Sequence, residues 1–305
     1  ATGVVTLSST IPDANGGLNS VGFIKLGTGT LAPTAANTYS GGTRIEGGML
    51  SVDADAELGG SAGRLTVLNG SVFQVTGTTY NQLGASRPVT IGTGGGVFDI
   101  AAAGNTFVVP AANIAVGGDI TKVGAGALNF SQPLNMNNSN LFVNGGILSI
   151  TNDISVVSTT ALFQSSGTAG ASTAIRQTGG NVIWNNAGSA AVSFGQSANS
   201  YAAYTLSGSS VLRAGEVNFG TVSSATGIFN VLAGGSASFV NWFILGRVSG
   251  AVGVLNMAGG AITLPTNSGA NGGRGEINIG VNVGGGTAGG IIYAPTGFRM
   301  QNATS

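Results

Sequence analysis

The sequence predicts an all-β chain wound as a parallel β-helix, or β-solenoid, and three observations lead there. Apolar alternations of four to six residues recur along the chain, each ended by Gly, Asn, Ser or Thr. No window carries apolar residues at i, i+3, i+4 and i+7 over three turns, so helices are not expected. Two sets of short markers return at an interval of roughly 25 residues, which suits one rung of such a coil.

The chain opens with "ATGVVTLSST" (1–10), a lone β-rich stretch. We read residues 1–20 as an N-terminal strand segment able to exchange between subunits. From there to about residue 155 a long repeat operates. "IKLGTGTL" (24–31) returns as "TKVGAGAL" (121–128), and "EGGMLSV" (46–52) returns as "NGGILSI" (144–150). Lys25 therefore corresponds to Lys122, and Gly47 to Gly145. Between the copies lie strands such as "RLTVLNGSVFQV" (64–75), "GVFDIA" (96–101) and "NTFVVP" (105–110).

Residues 156–305 use the shorter period. "VSFG", "VNFG", "FILG" and "INIG" end at Gly195, Gly220, Gly246 and Gly280. "QTGG", "LSGS", "LAGG" and "MAGG" run in step with them. The glycine-rich insertion "TNSGANGGR" (266–274) lengthens the last interval. Alternation places Val217 and Phe219, Phe243 and Leu245, Ile277 and Ile279 in one stacked core ladder. No Pro-rich or charged linker separates 21–155 from 156–305, so one continuous solenoid of about twelve rungs is expected.

Composition narrows the function. Glycine fills 55 of 305 positions and charged residues only 7%, against about 7% and about 25% in ordinary soluble domains. Ten acidic and ten basic residues cancel, so nothing steers the chain toward nucleic acid. No apolar run reaches the roughly 18–20 residues of a spanning helix, and no membrane insertion is expected. There is no cysteine and no histidine, which removes disulfides and thiolate metal sites. The start at Ala1, without Met or leader, reads as a processed or excised piece.

Candidate chemistry is sparse, and no catalytic or cofactor-binding residue is assigned. Hydrolases of this fold need clustered aspartates, one to protonate a leaving oxygen and one to activate water; no Asp-Asp pair is present. Asp53, Asp55 and Glu57 form an acidic cluster. It reads first as a solvated turn, and alternatively, with all three on one side of an extended strand, as a Ca²⁺ site. Glu216 and Glu276 hold equivalent rung positions, with Arg213 and Arg274 just upstream. These four read as exposed ion pairs that keep the outer face soluble, or as a charged ridge that recognises a glycan. Trp242 lies in the apolar run "FVNWFIL" and is expected to pack inside, while the environment of Trp184 is left open.

The stretch "GFIKLGTGTLAPTAANTYSGGTRIEGGMLSV" (22–52) resembles the autotransporter-associated β-strand repeat, with its Lys-x-Gly-x-Gly-x-Leu start, Asn-Thr-Tyr-x-Gly-Gly-Thr centre and Gly-x-Leu end. Residues 87–130 resemble the segment that leads into the next such repeat. The second copy departs from the pattern, because "SQPLNMNNSNLFV" (131–143) replaces the centre. The resemblance implies a right-handed, single-stranded parallel β-helix in the secreted or surface-displayed passenger of a Gram-negative-type bacterium. It brings no catalytic residues. The function expected is structural: an extracellular segment or subunit of a surface filament, sheath or layer, partnered by further copies of itself through open end rungs. An autotransporter-type adhesin binding glycans or surfaces is the alternative, and a polysaccharide lyase or hydrolase the third reading.

Overall fold

The computed structural model describes residues 3–110, 114–156, 158–166, 172–185, 191–264, 276–279 and 289–293. Its strands are short and parallel, stacked as a β-solenoid, and among the described residues there is no α-helix. The chain divides into two compact units, Ala1–Asn135 and Met136–Ser305, a division earlier in the chain than the change of repeat style near residue 155.

In the first unit one face stacks Val4–Leu7, Thr30–Pro33, Met49–Val52, Ser71–Val75, Gly96–Ile100 and Ile120–Val123. A second face stacks Phe23–Lys25, Thr43–Ile45, Leu65–Val67, Val89–Ile91 and Ile114–Val116. The early coils have no strand on a third side. Loops 34–42, 53–64 and 76–88 run there instead, joined by scattered backbone bonds and by side-chain hydrogen bonds rather than by a continuous ladder. A third face begins only with Thr106–Val109 and Ala127–Phe130.

The second unit has three regular faces. The first stacks Leu141–Val143, Phe163–Ser165, Val192–Phe194, Val217–Phe219, Trp242–Leu245 and Glu276–Ile279. The next runs from Gly146–Ile150 to Gly289–Tyr293, and the last from Ile154–Val156 to Ala261–Thr263. Alternate residues turn inward, as the pleat requires. Phe163, Phe194, Phe219 and Phe243 are completely buried. Phe194 and Phe219 stack at 4.9 Å, as do Phe219 and Phe229, so an aromatic column runs from coil to coil.

The described strands make about ten turns rather than the roughly twelve that a uniform 25-residue period implies. Some coils are longer than that period: Trp242 pairs with Glu276, across the glycine-rich insertion. Marker glycines sit at corners. Gly220 has φ of 72°, and a Cβ there would lie 2.3 Å from the Val252 carbonyl oxygen, so both backbone twist and close approach demand glycine. Gly280, the last of that marker series, lies outside the described residues.

The long repeat lands on different faces in its two copies. Lys25 ends a strand of the second face, and the chain then turns into the first face at Thr30. Lys122 lies on the first face, and the chain turns into the third face at Ala127. What recurs is therefore a corner, not a side of the coil.

Candidate functional site

The two corner lysines are buried, Lys25 at 7% exposure and Lys122 at 0%. Lys25 Nζ donates to the carbonyls of Leu26, Gly27 and Gly47 at 2.8–2.9 Å. Lys122 Nζ donates to those of Val123 and Gly124 at 2.6 and 2.9 Å. Each ammonium gathers carbonyls that the turn leaves without a ladder partner. Burial pulls the Lys122 ammonium down to about 8, with the Asp99 carboxylate opposing, and lowers Lys25 as well.

In the loop layer of the first unit, Arg87 is 1% exposed. It meets Asp55 side-on, with Nε to Oδ1 at 3.1 Å and Nη2 to Oδ2 at 2.9 Å. The same guanidinium donates to the carbonyls of Leu58, Gly59 and Gly63. One planar fork thus ties loop 53–64 to loop 76–88. Burial pushes the Asp55 carboxyl up, but the Arg87 hydrogen bond and the Gly84 N–H outweigh it and hold the group below its usual value.

The acidic cluster is not laid out as an extended strand. Asp55–Leu58 forms a 3₁₀ turn, so Asp53, Asp55 and Glu57 part company. Asp53 is exposed, Asp55 serves Arg87, and Glu57 is 5% exposed and accepts the Asp53 N–H at 2.9 Å. Burial raises the Glu57 carboxyl to about 7, with the Asp53 carboxylate adding to the effect. Among the described residues no group of three or more acidic side chains is placed to hold a metal ion, so the Ca²⁺ reading lapses.

The charged ridge also changes character. Arg213 is exposed, but Glu216 is 3% exposed and is bonded by Asn218 Nδ2 at 2.9 Å and by Arg247. Its ion-pair partner comes from the following coil, because Arg247 lies just after Trp242–Leu245, the strand that stacks on Val217–Phe219. Arg274 lies outside the described residues, and Glu276 is placed only as the backbone partner of Trp242. Of the two tryptophans, Trp242 departs from the inward packing expected of it. Trp184 is 1% exposed and donates Nε1–H to the Ala161 carbonyl at 2.8 Å, whereas Trp242 is 42% exposed. Phe243 and Leu245 take the inward phase of that strand and leave Trp242 outside.

The ladder residues fall in register. Val217 pairs with Phe243 and Phe219 with Leu245, all four fully buried. Ile277 pairs with Phe243 and Ile279 with Leu245. Ile279 is 48% exposed, a departure from the core position assigned to it. Its strand is the last described on that face, so a neighbouring coil covers it on one side only.

Residues 23–52, which hold the Lys25 corner and the first complete coil, match the family model of the passenger-associated transport repeat. The chain carries the passenger-type repeat. Over 211 residues this passenger-type chain is 32% identical to the adhesin BmaC autotransporter of Brucella suis biovar 1 (strain 1330), an alignment covering 69% of the chain and 5% of that protein. It therefore spans a small fraction of the length of the curated relative that it matches. No solved structure matches it.

Proposed function

We propose that this chain is a non-catalytic segment of an adhesive autotransporter passenger, displayed at or released from the surface of a Gram-negative bacterium. The similarity to an autotransporter adhesin along 69% of the chain is the observation that carries this reading, and the transport repeat at 23–52 supports it. The corner lysines, the Arg87 hub and the Glu216–Arg247 pair all act as structural ties, which suits a scaffold. With Trp184 buried, Trp242 is the tryptophan available to stack on a sugar ring. Beads coated with the purified chain should be retained on cell monolayers or immobilised polysaccharides above the level of beads coated with heat-unfolded chain. Equal retention on every surface would remove the adhesive role.

A second reading is self-association through an open coil edge, and one feature favours it. Among the described residues Val4–Leu7 pairs with Thr30–Pro33 alone, and Val4 and Val5 are 65% and 62% exposed, although Val5 stands in the inward column with Leu31 and Leu50. An unpaired apolar edge is a template for strand addition. Sedimentation of the wild-type chain should show oligomers that Val5→Lys disperses, and a monodisperse wild-type monomer would exclude this reading.

A further inference from the structure

Residues 3–11 of the first unit form a strap laid along the coil that carries Thr30–Pro33. Backbone bonds fasten it at three places. Thr30 N–H donates to the Gly3 carbonyl at 3.3 Å, and Thr34 N–H to the Leu7 carbonyl at 2.9 Å. At the far end the N–H groups of Thr38 and Tyr39 donate to the Ile11 carbonyl. One side chain reinforces the backbone bonds at Ile11. Asn37 Oδ1 accepts the Ile11 N–H at 2.8 Å, while Asn37 Nδ2 donates to the Glu57 carbonyl at 2.7 Å and the Asn37 N–H to the Ala56 carbonyl at 2.8 Å. The 3₁₀ turn that bears Glu57 thus holds Asn37, and Asn37 adds its bond to those that fasten the strap at Ile11.

Glu57 is buried and lines a small space beside the strap, together with Leu7, Phe23, Pro33, Asn37, Tyr39 and Leu50. Ionising a carboxyl in such surroundings is costly without a cation or further donors. The Asp53 N–H donates to it at 2.9 Å and works against the burial, but the charged and titratable side chains around it add no cation. Asp53 is another acid, Asp55 is committed to Arg87, and the Arg87 guanidinium is engaged by Asp55 and three further carbonyls. Tyr39 gives its hydroxyl to a bond with Thr43, and Tyr80 directs its own to Asp55. Among the described residues no ion pair reaches Glu57.

We infer that Glu57 is a proton-operated latch: protonated, it seats the turn that carries Asn37 and keeps the strap closed over the apolar space beside Leu7; ionised, it draws water in, shifts that turn and frees residues 3–11. The direction follows from linkage. A carboxyl raised from about 4.5 to about 7 in the closed state supports closure fully below about 4.5, and that support declines as pH rises through about 7. Asp13, which anchors the chain beyond the strap through the N–H groups of Val21 and Ser40, is held below its ordinary value by those bonds and stays ionised across this window.

Amide exchange tests the latch. Protection of residues 4–11, corrected at each pH for the intrinsic rate, should fall by up to roughly tenfold per pH unit between about 4.5 and about 7 and then level off. The Thr226–Leu232 strand of the second unit should keep its protection throughout. In Glu57→Gln the strap should stay protected at every pH. Flat protection in the wild-type chain overturns the proposal even if the variant fails to fold. A decline shared by Thr226–Leu232 or by the Phe73 and Phe98 strands overturns it too, since that would be general loosening.

Discussion

Trp184 and Trp242 stand on opposite sides of the coil wall, and the difference is one step of alternation. Fluorescence separates them. Trp242→Phe should leave a blue-shifted emission that resists acrylamide, and Trp184→Phe a red-shifted, readily quenched one; matching spectra would contradict the assigned phase. Counting back from Gly246 puts Leu245 and Phe243 inside and Trp242 outside, but the apolar run "FVNWFIL" masks that phase and led to the expectation that Trp242 packs inside. The burial of Glu216 was not legible: its partner Arg247 belongs to the next coil, and no local pattern names it. The turn at Asp55–Leu58 was legible in "DADAEL", where short polar residues favour a turn; the burial of Glu57 within it was not. Arg87 carried no local signal either, since its acceptors are carbonyls about 25–30 residues back in the chain. Removing it leaves Asp55 half-buried and unpaired. Arg87→Ala should destabilise the first unit by about 3–5 kcal/mol, read as a lowered urea midpoint with a compensating loss at low pH. The Asp55 contribution is present above the ordinary carboxylate range and vanishes as pH drops through its depressed folded value.

Among the elements, strands were easier to read than corners. Alternation fixes which residues of "VNFG" and "FILG" face inward, and the pairing of Phe219 with Leu245 follows from the shared marker. Which two faces a corner joins depends on how many strands a coil has, and the early coils lack one. Corner glycines nonetheless allow a graded test. Gly77 has φ of 69° with nothing within 4 Å of a Cβ, whereas Gly220 adds a 2.3 Å approach to the Val252 carbonyl. Gly77→Ala should cost about 1 kcal/mol from backbone strain alone. Gly220→Ala should cost clearly more, on the order of 2–4 kcal/mol, by equilibrium denaturation. Equal losses would mean that the wall between coils yields more readily than the geometry implies.

At the level of the whole molecule, charge is nearly silent. With ten residues of each sign and a sequence pI near 6.4, attachment in the adhesive role should rest on apolar and hydrogen-bonding contacts. Bead retention should then change by less than about twofold between about 0.05 and about 0.5 M salt, and a steep loss would point to ion pairing instead. The coil also has a bearing on how such a gene product lengthens. Lys25 and Lys122 make the same turn between different pairs of faces, so an inserted copy has no preferred side on which it must arrive. A segment acquired by duplication needs only to close its own bend and present an edge to the next winding, which lets length drift while the wall stays intact.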